Sequence, residues 1–312
     1  MSALSERLCV GGLAALMLIA YGRVWTFGFL YDDPWWVDQA GGLWAVATWL
    51  GGGLPWAFHG LALGLHLVNG GLLWALARRW LSPIAALLVL LLLWLHPLQV
   101  ASVAYVTGAI EAQLTLYVLL AIWGCVTGRW WSVVLGLVSL GLAVSLKWSA
   151  LSLLLVLPLF VGLVPRWVRV AGGGALVIVV GAVIGRAWPS MAGWLAAEGD
   201  RLEPMRLLAL AIWRYLAFVV WPWGFSIEHD WRAAPIALGW LAVAGLLTLG
   251  IVAWRSRVTW LAWIAVVGLV LPRALVPDAP PLTEHHTRLP FLAVWLMAGA
   301  AFDSLHERLT HG

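Results

Sequence analysis

Apolar residues run in long blocks separated by short polar breaks, and the breaks carry most of the charge. Blocks at about 8–21, 56–76, 83–95, 108–126, 130–146, 149–164, 170–184, 236–254, 258–271 and 289–302 predict ten helical spans. Many approach the roughly 17–25 residues that cross a bilayer as a helix. No stretch shows the alternating pattern of roughly ten-residue barrel strands. The expectation is an all-α polytopic membrane protein, a single transmembrane domain over residues 1–312 with about ten transmembrane helices. Larger extracytoplasmic loops are expected at about 22–55, 186–235 and 272–288. Within the first of these, Leu43 to Leu50 is semi-apolar and predicts a helix lying on the interface. The segment from Leu207 to Trp221 is apolar but holds Arg214 in its middle, and is expected to be re-entrant or interfacial.

The short breaks give an orientation. With the N-terminus inside, the inner turns hold Arg78-Arg79, Arg129, Arg166/Arg169 and Arg255/Arg257, all basic and free of acids. That satisfies the positive-inside rule and places both termini in the cytoplasm. If the Leu207–Trp221 segment crossed the bilayer, the Arg255/Arg257 turn would move outside, so both its ends are placed outside.

Composition agrees. The chain is 63% hydrophobic and 10% charged, with a mean hydropathy of +0.95, whereas soluble domains carry about 25% charged residues. Its net charge of +4 points to anionic lipid contacts and not to nucleic acid. The two cysteines, Cys9 and Cys125, lie inside apolar runs and exclude a disulfide framework. Many of the 25 tryptophans, among them Trp35, Trp36, Trp80, Trp130, Trp131, Trp188, Trp221 and Trp223, fall at run ends, as an interfacial aromatic belt does. No phosphate-binding loop, dinucleotide fingerprint or zinc motif occurs in a usable context; His285-His286 lack zinc-ligand spacing, and no metal ligands are assigned.

The chemistry collects on the outer side. Tyr31-Asp32-Asp33 follows the first apolar run, with Trp35, Trp36 and Asp38 behind it. Two adjacent carboxylates at a membrane surface repel each other and are costly unless they have a task. His96, Glu111, Lys147, Asp230 with Glu228 and His229, and Glu284 with Arg288 fall on the same side, while His66 and Asn69 sit deeper in the second span. Ionisable groups in the bilayer cost roughly 2.5–3.5 kcal/mol each on insertion scales and are functional candidates by default. Plainer roles are also open. His66 and Asn69 suit an interhelical hydrogen-bond pair, Glu111 a helix N-terminus, and Lys147 and Arg214 snorkelling to headgroups.

The order of these elements resembles the GT-C class of membrane glycosyltransferases, closest to the protein O-mannosyltransferase branch and its relatives with C-terminal TPR repeats. The matching elements are Phe29-Leu30-Tyr31-Asp32-Asp33, His66-Leu67-Val68-Asn69, Arg78-Arg79, His96-Pro97 and Gly108-Ala109-Ile110-Glu111. Ser145-Leu146-Lys147, Phe225 through Trp231 and Glu284 through Pro290 match in part. The chain departs from the pattern at Ala101, Ala109 and Trp148, where the family carries charge, and has no TPR repeats.

The resemblance implies a GT-C-like bundle with extracytoplasmic interfacial helices. It implies transfer of a sugar from a polyprenyl-phosphate donor to a protein, lipid or glycan acceptor, most readily in a bacterial inner membrane. Asp33 or Asp32 would be the general base, with the partner acid orienting the acceptor or a divalent cation; no other cofactor is expected. Lys147, Arg214 and Arg288 would bind the donor phosphate. His66, Asn69, His96, Glu111, Asp230 and Glu284 would line the cavity. The alternative is a non-catalytic, transferase-derived subunit packed against partner membrane subunits and lipids, to which the lost charges point. A transporter would need paired discontinuous helices in two related halves, and no internal repeat is present.

Overall fold

The computed structural model describes residues 2–38, 42–147, 150, 181, 185, 202–224, 234–254, 257–270 and 284–311. The predicted spans at 149–164 and 170–184, apart from Ala150 and Gly181, and the acids Glu198, Asp200, Glu228 and Asp230 lie outside these residues. The described residues are helical, with no strand among them. The helices are α1 (Ala3–Ala20), α2 (Asp33–Asp38), α3 (Leu43–Gly51), α4 (Pro55–Ala77), α5 (Pro83–Leu95), α6 (Ala101–Ala104) and α7 (Ile110–Thr127). They continue with α8 (Trp130–Leu146), α9 (Glu203–Val220), α10 (Ile236–Ala253), α11 (Arg257–Val270) and α12 (Arg288–His311).

Among the described residues, five stretches are long and apolar enough to cross a membrane: Ala3–Thr26, Pro55–Ala77, Thr107–Thr127, Ile236–Ala253 and Arg288–Thr310. A sixth is counted if α5 and the Pro97–Ala104 segment, bent by 52° at His96, form one span. The chain is therefore a helical membrane protein. α8, at 17 residues, and α11, at 14, are apolar but shorter. The Leu207–Trp221 segment lies in the unbroken 18-residue helix α9.

Helix boundaries follow local chemistry. Ser2 caps α1 by accepting the Ser5 N–H at 3.1 Å, so the helix begins before the apolar run does. Ser82 caps α5 in the same way, accepting from Ala85 at 3.2 Å, and Pro55 and Pro83 open α4 and α5 where no N–H is needed. α12 runs through the expected polar tail. Residues 303–311 contain no glycine or proline, and Asp303 is tied down, its carboxylate accepting from both the backbone N–H and the hydroxyl of Ser82.

The chain forms two compact units, residues 1–116 with 284–312, and residues 117–283. In the first, α5 packs against α1, α4 and α12, and α3 lies on α4. One end of this unit holds the Arg78–Glu6 ion pair at 2.5 Å and the Ser82–Asp303 pair. The acidic turn at Asp32-Asp33 follows the opposite end of α1. In the second unit, α10 packs against α9 and α11, and Gly124 and Gly136 bring α7 and α8 close together.

One packing device recurs in both units. A tryptophan lies over a helix glycine and donates its indole N–H to a carbonyl one turn earlier on that helix. Trp94 covers Gly70 and donates to the His66 carbonyl at 3.0 Å. Trp213 covers Gly245 and donates to Ala242 at 2.9 Å, and Trp263 covers Gly250 and donates to Leu246 at 3.1 Å. The cause is geometric. A helical Cβ tilts towards the N-terminus and shields the carbonyl of the turn before it; without a Cβ that oxygen can accept a second bond. The indole N–H is thereby satisfied within the helix contact, fully buried at Trp94 and part-buried at Trp213 and Trp263.

A Cβ on Gly70 would stand 1.9 Å from the Trp94 indole nitrogen, while Gly64 and Gly71 on the same helix face open space. Gly70→Ala is expected to destabilise the protein by about 1–3 kcal/mol through overpacking. Gly64→Ala and Gly71→Ala should be neutral or stabilising by up to about 1 kcal/mol. Thermal unfolding of the three variants in detergent measures the contrast.

Candidate functional site

The acidic pair sits in a tight turn between α1 and α2. Leu30 accepts the Asp33 backbone N–H at 2.9 Å, and the Asp33 carboxylate returns to accept the Leu30 N–H at 3.0 Å. The turn places Tyr31 at φ +47°, the one non-glycine residue with positive φ among the described residues. Such a conformation is uncommon for a side chain as large as tyrosine, and persists where surrounding bonds hold it.

The two carboxylates are treated differently. Asp33 is fully buried. Its second oxygen accepts the Thr107 N–H at 2.8 Å and the Thr107 hydroxyl at 2.9 Å, joining the turn to the Thr107–Ala109 segment that leads into α7. Asp32 is exposed. Its carbonyl accepts the Trp36 N–H and starts α2, and its carboxylate accepts the hydroxyl of Tyr105. Burial first, and then the bond to Asp32, push the Tyr105 phenol above its usual range, so Tyr105 remains a proton donor to Asp32. The pair thus has one sealed member that fixes the backbone and one accessible member oriented by a phenol.

A second polar cluster lies inside the same unit. Arg288, the first residue of α12, is fully buried. It donates to Ser102 at 2.8 Å and to the Nδ1 of His66 at 2.9 Å. Arginine can only donate, so Nδ1 carries no proton, and the His66 Nε2–H faces the Trp94 carbonyl at 3.2 Å. His66 is therefore a neutral imidazole with a fixed tautomer. Since Trp94 donates in turn to the His66 carbonyl, α4 and α5 are joined by a reciprocal pair. Ser102 passes the chain to the Gln99 carbonyl at 2.9 Å. Glu111 is buried 4.0 Å from His286.

Other predicted site residues divide between structural contacts and open positions. Asn69 donates to the Ala112 carbonyl at 2.7 Å. His96 ends α5, accepts the Leu98 N–H on its ring at 3.2 Å and packs on Trp295 with ring centroids 4.9 Å apart. Lys147 and Arg214 belong to the second unit. Lys147 ends α8, and Arg214 is exposed with its guanidinium 4.7 Å from the Phe218 ring centroid. Asp230 lies outside the described residues, as does the side chain of Glu284, whose backbone opens the Glu284–Thr287 turn. Sequence reasoning missed Tyr105, Thr107, Ser102, Gln99 and His286. His286 was visible only as half of a histidine pair, and the others are ordinary polar residues whose partners are distant in sequence.

The acidic turn does not fit a resident divalent cation. The Asp33 oxygens already accept three hydrogen bonds. Among the described residues, no group of three His, Cys, Asp or Glu side chains converges anywhere. Compared with family models, with curated proteins and with solved structures, the chain matches none.

An amide at position 33 loses one acceptor oxygen and leaves buried N–H or O–H donors unpaired. Asp33→Asn is therefore expected to lower stability by about 1–3 kcal/mol. Asp32→Asn keeps an oxygen for Tyr105 and should stay within about 0.5 kcal/mol of the parent. Denaturant unfolding in detergent separates the two.

Proposed function

We propose that the protein is an integral membrane glycosyltransferase of the GT-C class. It moves a sugar from a polyprenyl-phosphate donor to a protein, lipid or glycan acceptor on the outer face of a bacterial plasma membrane, with both termini in the cytoplasm. The observation that supports this best is the division of labour in the acidic pair, because transfer needs one exposed carboxylate held in a fixed direction.

In this reading Asp32 is the general base. It takes the proton of the acceptor hydroxyl or amine as that atom attacks the anomeric carbon. The bond from that carbon to the phosphate oxygen breaks, and the lipid phosphate leaves with the electron pair. Asp33 holds the turn that aims Asp32, and Tyr105 fixes the rotamer of its carboxylate. Negative charge grows on the leaving phosphate, so cations near it act on the chemical step as well as on binding. Arg288 is sealed and engaged by His66 and Ser102, so Lys147 and Arg214 are the cations assigned to the phosphate. Arg288 then shapes the bundle interior with His66 and Ser102; Asn69, His96, Glu111, Asp230 and Glu284 stay assigned to the acceptor cavity.

The same sealed arginine, with Ala109 where the family carries arginine, favours a second reading. In it the protein is a transferase-derived subunit that packs against partner membrane proteins and has no activity of its own.

Reconstituted with a polyprenyl-phosphate sugar and a membrane extract as acceptor source, the parent protein should transfer sugar. Asp32→Asn should cost about 10²- to 10⁴-fold in rate. Full activity in Asp32→Asn removes the base assignment. No transfer by the parent, together with stable co-purification in a larger complex, decides for the subunit.

A further inference from the structure

The first extracytoplasmic segment holds a groove that the transfer reaction does not use. It has a volume of about 520 Å³ and runs between α2 and α3, lined by Phe29, Pro34, Val37, Asp38, Thr48 and Trp49 among others. Its walls are mostly apolar, and its one carboxylate, Asp38, is exposed and has no hydrogen bond or ion pair among the described residues. Thr48 spends its hydroxyl proton on the Trp44 carbonyl at 3.3 Å, which leaves the oxygen able to accept. Trp49 is 82% exposed and presents its ring at the groove.

Charge decides the sign of the occupant. From Val24 to Ala77 the chain has three aspartates and no lysine or arginine. An anionic group would find no counter-charge from this segment, whereas an ammonium would find a carboxylate, a hydroxyl oxygen and an indole face. That is the donor set that recognises organic cations. Position decides its source. The groove lies in the connection between the stretches Ala3–Thr26 and Pro55–Ala77, both long and apolar enough to cross the membrane. Around it Trp35, Trp49, Leu50 and Leu54 are all exposed. Large exposed apolar and aromatic side chains beside span ends belong at headgroup depth. A soluble cationic peptide would leave them in water.

We propose that the α2–α3 groove is a binding site for the primary ammonium headgroup of a zwitterionic phospholipid, of the phosphatidylethanolamine class. Asp38 and Thr48 accept its N–H bonds, Trp49 covers the cation, and Phe29 and Val37 take the methylenes. A quaternary ammonium has no N–H to donate and binds more weakly. The site stands apart from sugar transfer, because its evidence is the groove and its readout is lipid retention.

The test is native mass spectrometry of the full-length protein released from detergent, titrated with short-chain phosphatidylethanolamine, phosphatidylcholine and phosphatidylglycerol. Phosphatidylethanolamine should be retained about tenfold over phosphatidylglycerol, with phosphatidylcholine between them. Asp38→Asn should remove this preference, and Trp49→Ala should weaken retention about threefold. Both side chains are exposed, and an unchanged unfolding temperature confirms that the variants fold. Asp32→Asn should keep the preference. Three results overturn the proposal: equal retention of the three lipids, a preference that survives in Asp38→Asn, or a preference lost in Asp32→Asn. Equal retention of the three lipids, with a lysine-rich peptide retained by the parent and not by Asp38→Asn, would assign the groove to a protein partner instead.

Discussion

An indole packed against a helix needs an acceptor for its N–H, and in a helix nearly every carbonyl is already used. The protein meets this constraint by removing a Cβ. Gly70, Gly245 and Gly250 each open a carbonyl one turn back, and Trp94, Trp213 and Trp263 each fill the space and take the bond. Apolar contact alone gives little selectivity between helices in lipid, where the surroundings are as apolar as the interface. A socket that must be both empty and correctly placed sets the register of two helices. By contrast, the buried indole nitrogens of Trp44, Trp74 and Trp295 have no hydrogen-bond partner among the described residues.

The polar interior depends on one of these sockets. The Trp94–Gly70 contact puts the Trp94 indole on the His66 carbonyl and the Trp94 carbonyl at the His66 ring. That fixes the imidazole with its bare nitrogen towards Arg288, which then reaches Ser102. A buried guanidinium is costly unless its donors are met; here the two terminal nitrogens are met by Ser102 and His66, both far away in sequence, while Nε has no hydrogen-bond partner among the described residues. The acidic turn works by the same logic. Asp33 gives up its solvent exposure to hold Leu30 and Thr107, and this leaves Asp32 exposed with a defined direction.

Much of the helical framework was legible in the sequence. α4, α5, α7, α8, α10 and α11 coincide with predicted apolar blocks to within a few residues, because block length and capping residues are local. The ends were less legible. α1 starts before its apolar run because Ser2 caps it, and α12 passes through a polar tail because Asp303 finds Ser82. The candidate site was legible as residue types but not as roles. Asp32 and Asp33 are the same residue type side by side, and only Thr107 and Tyr105, about 70 residues on, separate a sealed carboxylate from an open one. Arg288 reads from sequence as a cation at an outer loop, and its burial against His66 and Ser102 has no local signature.

The sequence by itself determined that this is a helical membrane protein, where many of its helices lie, and that acids and bases gather between them. These follow from hydrophobic transfer and from backbone hydrogen bonding, both of which act along a few turns of chain. The tertiary structure alone decided which tryptophans enter glycine sockets, which carboxylate of the pair is exposed, and which nitrogen of His66 carries its proton. Each of those outcomes depends on a partner brought from a distant segment, and a hydrogen bond between distant segments leaves no periodicity for a sequence to display.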